Sequence, residues 1–139
     1  EAYIMKTSED KNVKFKYLFL EYPKCSTCLK AKKWLDDNEI GYEDRHIVED
    51  NPSVQELTQW IKRSGFPIKK FFNTSGMLYK QMNLKDRLSS MSELEQIEIL
   101  STNGMLVKRP LIIADDFVLI GCHVVGGGEF DAEHGLVSI

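Results

Sequence analysis

The sequence predicts an α/β domain on a mixed sheet, with helices inserted between its second strand and a closing β-hairpin. Three observations carry that expectation. An apolar run, Tyr17 to Tyr22, leads through Pro23 into an amphipathic run, Thr27 to Asn38, and then into a second strand-like run, Tyr42 to Val48; β–α–β order favours a right-handed crossover and two parallel strands. Two capping-box pairs, Ser53 with Glu56 and Ser92 with Glu95, mark helix starts further on. Two short apolar runs, Leu111-Ile112-Ile113 and Phe117-Val118-Leu119-Ile120, are joined through Ala114-Asp115-Asp116 and read as a tight hairpin.

The elements follow in chain order. Residues 1–14 are polar and irregular, and the ordered domain is expected over 15–121. In the first strand aromatic and leucine side chains run almost without interruption, the pattern of a strand covered on both faces, and Pro23 ends it. The first helix turns Cys28, Ala31, Leu35 and, less regularly, Trp34 inward, and turns Lys30, Lys33, Asp36 and Asp37 outward; it stops near Asn38, before Gly41. Val54, Leu57, Trp60 and Ile61 share one face of a helix ending near Gly65. Lys69 to Phe72 and Met77 to Met82 carry helical spacing broken by Asn73-Thr74-Ser75-Gly76, and Leu94, Ile97 and Leu100 lie on a last helix. Together these form a helical insert over about 53–103, and 122–139 is a terminal segment.

Composition narrows the function classes. A chain of 139 residues argues for one domain with a real core. With Lys+Arg 18 against Asp+Glu 21 the net charge is −3, which gives no electrostatic case for direct nucleic-acid binding or an anionic membrane surface. No apolar run approaches the roughly 20 residues of a membrane helix, and no signal-peptide pattern stands at the N-terminus. A soluble, cytoplasmic protein is expected. Three cysteines fit a redox pair plus one spare thiol, Cys122, better than a secreted disulfide scaffold.

The redox pair is Cys25-Ser26-Thr27-Cys28, placed where the first strand gives way to the first helix. A helix N-terminus carries unpaired N–H groups and a partial positive charge, which together stabilise a thiolate. Cys25 is then the attacking thiol, and Cys28, one turn on, is near enough to resolve a mixed disulfide. The C-terminal end of a strand is also where α/β folds place ligands.

Tyr22-Pro23-Lys24-Cys25-Ser26-Thr27-Cys28, Phe71-Phe72-Asn73-Thr74-Ser75-Gly76, Asp86, Gly104-Met105-Leu106 and Lys108-Arg109-Pro110 jointly resemble the arsenate reductase (ArsC)/Spx family over about Tyr17 to Gly121. The joint spacing is far more specific than a lone CxxC. The resemblance implies a thioredoxin-like (glutaredoxin-like) fold, with an Arg-Pro pair, here Arg109 and Pro110, opening the strand that faces the cysteine loop, commonly through a cis peptide. It implies a site of Cys25, Cys28 and Arg109 as catalytic groups, with Asn73 and Pro110 toward the substrate. Arsenate-reducing members use one attacking cysteine, three arginines for the oxyanion, and glutathione with glutaredoxin as reductant. Here Arg109 matches one of those arginines, Asn73 stands about where another is expected, and no arginine follows residue 109. A resolving Cys28 is closer to Spx-type regulators, which bind RNA polymerase and use the CxxC state as a switch. The implied partners are therefore glutathione, glutaredoxin or thioredoxin as electron donor, or RNA polymerase, with no bound cofactor or metal. The family closes with a charged and aromatic helix, a pattern that Cys122 to Gly128 does not show.

Each marked residue also has a plainer reading. A zinc site needs four ligands, and beyond the CxxC only Cys122, His46, His123 and His134 are on offer. Lys24 and Lys30 are expected to be solvated rather than catalytic. Asn73 suits capping the helix that follows it, Arg109 suits a surface ion pair, Trp34 and Trp60 suit the core, and nothing in its strand marks His46 as a base.

Overall fold

The computed structural model describes residues 16–121, and the backbone of 130–131 and 135–136. Strand β1 (Leu18–Glu21) is followed by helix α1 (Ser26–Asp37) and β2 (Glu43–His46). Helices α2 (Val54–Ser64), α3 (Met77–Gln81), α4 (Leu84–Arg87) and α5 (Glu93–Leu100) come next, with 3₁₀ turns at Ile68–Phe71, Leu88–Ser90 and Gly104–Leu106. Strands β3 (Leu111–Ile113) and β4 (Val118–Ile120) close the sheet, and a separate two-residue ladder pairs β5 (Phe130–Asp131) with β6 (Gly135–Leu136).

The four-stranded sheet has the order β2-β1-β3-β4. β1 and β2 are parallel, with Leu18 opposite Glu43, while β3 runs antiparallel to β1, with Leu20 opposite Leu111, and to β4. The sheet is thus mixed, as the β–α–β start and the terminal hairpin require. Successive side chains of a strand point to opposite faces, and β1 shows the consequence. Phe19 packs with Ala31, Leu35, Tyr42 and Ile112 on the α1 side, whereas Leu20 packs with Leu57, Trp60, Leu100 and Leu106 from the inserted helices. Fully buried aromatics such as Phe19, Tyr42, Phe71 and Phe72 each contribute roughly 1.5–3 kcal/mol of apolar burial.

Both capping boxes form. The Ser53 hydroxyl accepts from the Glu56 N–H and the Glu56 carboxylate from the Ser53 N–H, and Ser92 with Glu95 repeats the arrangement. Gly65 closes α2 in the left-handed conformation, with Lys62 and Arg63 in the last turn complementing the negative helix end. Helix α1 stops at Asn38, as its spacing predicts, and the left-handed residue after it is Glu39, at φ 57°. Glu39 N–H donates to Asp36 O and Ile40 N–H to Leu35 O, a Schellman closure that packs Ile40 onto the Leu35 cluster. The apolar contact outweighs the preference for glycine. Helix α4, unpredicted, starts after Asn83, also left-handed at φ 54°, and the helical spacing near Lys69 resolves as a 3₁₀ turn.

Gly104 shows how tightly the insert is pressed on the sheet. A Cβ there would stand 1.9 Å from the Ile47 carbonyl oxygen and 2.9 Å from Val48 Cα, backbone atoms with no rotamer to yield. Gly104→Ala is therefore expected to destabilise the domain by about 3 kcal/mol; a urea unfolding midpoint equal to that of the parent protein would contradict this packing.

Candidate active site

The cysteine loop is built by a turn and a cap. Pro23 supplies the φ that the second position of a β-turn needs, and the Cys25 N–H closes the turn on Tyr22 O at 3.0 Å. Cys25 is extended, at φ −94° and ψ 119°, and is the N-cap of α1. Its sulfur accepts the Cys28 N–H at 3.4 Å, and its carbonyl accepts the Leu29 N–H at 3.0 Å. The first turn of α1 carries no acidic side chain, so the sulfur is the group placed to meet the helix's positive end.

The two thiols are driven apart in acidity. Partial burial opposes ionisation of Cys25, but the Cys28 thiol and N–H, the Arg109 guanidinium and the Thr27 N–H outweigh it and hold the thiol below its ordinary 9.0. Cys28 is wholly buried. Burial, and behind it the neighbouring Cys25 sulfur, pushes Cys28 up to about 12, despite relief from the Tyr22 backbone and Arg109. A partly exposed thiol ionises early beside an enclosed one that stays protonated, which suits an attacker and a resolver.

Arg109 reaches the site through strand register. Continuing the β1–β3 pairing beyond Leu20 opposite Leu111 sets Pro110 beside Glu21 and Arg109 beside Tyr22. The Arg109 guanidinium indeed lies over the Tyr22 ring, 5.1 Å from its centroid. The Arg109–Pro110 peptide is cis, and Pro110 O accepts the Gly121 N–H at 2.7 Å. Arg109 Nε and Nη1 are buried without a hydrogen-bond partner among the described residues. Two donors in that state leave room for an anionic acceptor.

Of the residues singled out in the sequence, the structure gathers Cys25, Cys28, Arg109 and Pro110 at one end of β1 and β3. Among the described residues no hydrogen bond joins Asn73 to them. The Asn73 amide donates to Met105 O at 3.4 Å, its N–H to Leu106 O at 2.8 Å, and its carbonyl accepts the Gly76 N–H. Nor does Asn73 cap the following helix, whose N-cap is Gly76 without a side-chain bond; its side chain instead ties the 71–76 loop to the segment before β3. Lys24 and Lys30 are exposed, and the cation acting on Cys25 is Arg109. His46 Nδ1 accepts the Val48 and Glu49 N–H groups while its ring meets Tyr22 edge-on at 5.8 Å, so it caps a turn. Trp60 is buried and Trp34 half-buried. Cys122, His123 and His134 lie outside the described residues; among those described, no group of three or more His, Cys, Asp or Glu side chains is placed to hold a metal ion, and no helix is long and apolar enough to cross a membrane.

One residue escaped the sequence reading. Glu21, at the end of β1, is 5 % exposed and takes the Lys32 ammonium at 3.1 Å. Its signal was a lone carboxylate inside the apolar run Tyr17 to Tyr22. Tyr22 was visible only as part of a motif, and its ring proves to be the surface on which Arg109 rests.

Comparison with known proteins places the fold among relatives. The model of the ArsC family matches residues 20–123. The YusI protein of Bacillus subtilis is 50 % identical over 103 residues, covering 74 % of this chain and 87 % of its own. The global transcriptional regulator Spx of Staphylococcus epidermidis is 27 % identical over 99 residues, covering 71 % and 74 %. The crystal structure of an ArsC family related protein from Bacteroides fragilis superposes with a TM-score of 0.76 at 59 % identity, covering 78 % of this chain and 92 % of that one.

Thiolate, not thiol, reacts with iodoacetamide. A lowered Cys25 pKa keeps that residue ionised at pH values where an ordinary thiol is protonated, while Cys28 is not. Mass-mapped alkylation at neutral pH should label Cys25 first, with the rate rising about a midpoint below 9.0. Arg109→Leu should move that midpoint upward; faster labelling of Cys28, or an unmoved midpoint, would contradict the assignment.

Proposed function

Because the chain belongs to the ArsC family, we propose that it works as a thiol–disulfide oxidoreductase of that family, with Cys25 attacking and Cys28 resolving. The observation that carries this reading is the placement of the pair at the start of α1: Cys25 caps the helix with its sulfur on the Cys28 N–H at 3.4 Å, and Cys28 is buried one turn on. In the first step the Cys25 thiolate attacks one sulfur of a disulfide substrate and releases the other as a thiolate. In the second, Cys28 attacks Cys25, releasing the bound half and leaving a Cys25–Cys28 disulfide. Thioredoxin, or glutathione with glutaredoxin, then returns two electrons and two protons. Free, ionisable thiols suit the reducing cytoplasm, where we place the protein.

The same site argues against efficient arsenate turnover. Arg109 offers buried, unpartnered donors, but every other arginine of the chain is engaged elsewhere. Arg45 forks onto Glu56 at 2.8 and 2.9 Å, Arg63 donates to Ala114 O and Arg87 to Met82 O. Each missing charge-assisted hydrogen bond costs about 1.5–3 kcal/mol, so two missing arginines correspond to roughly two to four powers of ten in rate. A coupled assay with glutathione, glutaredoxin and arsenate should show turnover at least about a hundredfold below reduction of a disulfide substrate; comparable rates would restore arsenate as substrate.

Similarity to Spx supports a second reading, in which the Cys25–Cys28 disulfide switches a contact with RNA polymerase and no substrate is turned over. Capture of the polymerase by one redox state, together with an absence of disulfide reductase activity, would favour the regulator; turnover without capture would favour the enzyme.

A further inference from the structure

The two edges of the sheet are built differently. Strand order β2-β1-β3-β4 leaves β2 and β4 outermost. Every residue of β2, Glu43-Asp44-Arg45-His46, is polar or charged, which guards an edge against a further strand. β4 is Val118-Leu119-Ile120 and carries no charge. Its register fixes which backbone groups are free. The Gly121 N–H donates to Pro110 O at 2.7 Å and the Ala114 N–H to Phe117 O at 2.9 Å, and hydrogen-bonded and non-hydrogen-bonded positions alternate along an antiparallel pair. Val118, opposite Ile113, and Ile120, opposite Leu111, therefore turn their N–H and C=O groups away from β3.

Opposite charges stand at the two ends of this edge. Beyond Ile120, a cavity of about 680 Å³ is lined by Lys69, Lys70 and Lys108 together with Phe66, Phe72 and Ile120, and among the described residues no acidic side chain lines it. Chain geometry brings the lysines together. The 3₁₀ turn Ile68–Phe71 buries Phe71 and leaves Lys69 and Lys70 exposed. A bridge between Phe72 and Val107, with the Lys108 N–H on Phe71 O at 2.8 Å, sets Lys108 alongside. The Lys108 stem crosses Gly121, where a Cβ would stand 2.9 Å from Lys108 Cε. Before Val118, the hairpin turn carries Asp115 and Asp116, both exposed. Among the described residues none of these five charged side chains has a hydrogen bond or ion pair.

An edge that is apolar in the middle, acidic at one end and basic at the other is complementary to itself when reversed. A small anion would satisfy the lysines and leave the strand edge and the aspartates unused; a second copy uses all three. We propose that β4 of two copies pairs antiparallel about a two-fold axis through Leu119, the Asp115-Asp116 turn of each copy meeting Lys69, Lys70 and Lys108 of the other. The register is self-consistent. Val118 of one copy faces Ile120 of the second, each exchanging N–H and C=O, so both outward-facing positions of β4 are paired and the assembly closes as an isologous dimer. In that register Phe117 stands opposite Gly121 of the second copy, which carries the aspartates toward the lysines beside it. The surface shares no residue with the cysteine loop, so the inference goes beyond the redox reading and does not depend on it.

The test is sedimentation velocity of the reduced full chain carrying Cys122→Ser, from about 5 μM to about 1 mM. The parent should pass from one chain to two as concentration rises, and the dissociation constant should increase with added salt. Lys69→Glu combined with Lys70→Glu sets like charges against the aspartates and should weaken association about tenfold or more, as should Asp115→Lys combined with Asp116→Lys. An equimolar mixture of those two variants restores opposite charges at both ends of the interface and should associate as the parent does. All four positions are exposed, so the variants retain the fold. A separate variant reads the register: Leu119→Cys places two thiols opposite each other on the two-fold axis, at the Cα separation of about 4.5 Å of a non-hydrogen-bonded pair, and mild oxidation followed by mass mapping should find that residue linked to its own copy. A parent that stays monomeric to about 1 mM overturns the inference. So does a dimer that both charge reversals leave unchanged, a mixture that does not reassociate, or a Leu119→Cys dimer with no link at that position.

Discussion

The chemistry at this site depends on the start of α1 being held against the C-terminal end of β1. Three hydrogen bonds and one proline fix that junction: the Pro23 turn closed by Cys25 N–H on Tyr22 O, the Leu29 N–H on Cys25 O, and the Cys28 N–H on the Cys25 sulfur. From it follow the extended backbone of Cys25, the exposure of one thiol and the enclosure of the other. The positive helix end favours an anion, and no carboxylate of the first turn supplies it. A sulfur at the cap meets that preference best when ionised, so helix capping and nucleophilicity reinforce one another.

The second constraint is strand register. β3 enters the sheet beside β1, and its pairing decides that Arg109, rather than a lysine of the cysteine loop, brings positive charge to the sulfurs. Tyr22 gives the guanidinium a face to lie on, which orients the side chain without using its donors. An arginine so held is ready for an anion and, in its absence, lowers the pKa of Cys25.

Much of this was legible in the chain. Continuous apolar runs, helical spacing, the capping boxes and the hairpin run were enough to give the mixed sheet and its inserted helices, because at those places local preference and tertiary packing agree. The thiol pair was legible because its spacing coincides with a strand-to-helix junction. What the sequence did not reveal depended on distant partners. Glu39 takes a glycine's conformation because Ile40 finds the Leu35 cluster, and Asn73 looked like a helix cap yet serves Met105, 32 residues away. Glu21 looked like one polar residue in a strand; its burial against Lys32 and Asp44 exists only once α1 and β2 are folded onto β1.

The central claim is that one fold gives adjacent cysteines opposite acidities. Nuclear magnetic resonance of ¹³Cβ-labelled cysteine, followed through a pH titration of the reduced protein, reads both groups at once. The account predicts that Cys25 titrates below its ordinary 9.0 while Cys28 stays protonated far above it, up to about 12. Two cysteines titrating together near 9.0, or Cys28 ionising first, would contradict it.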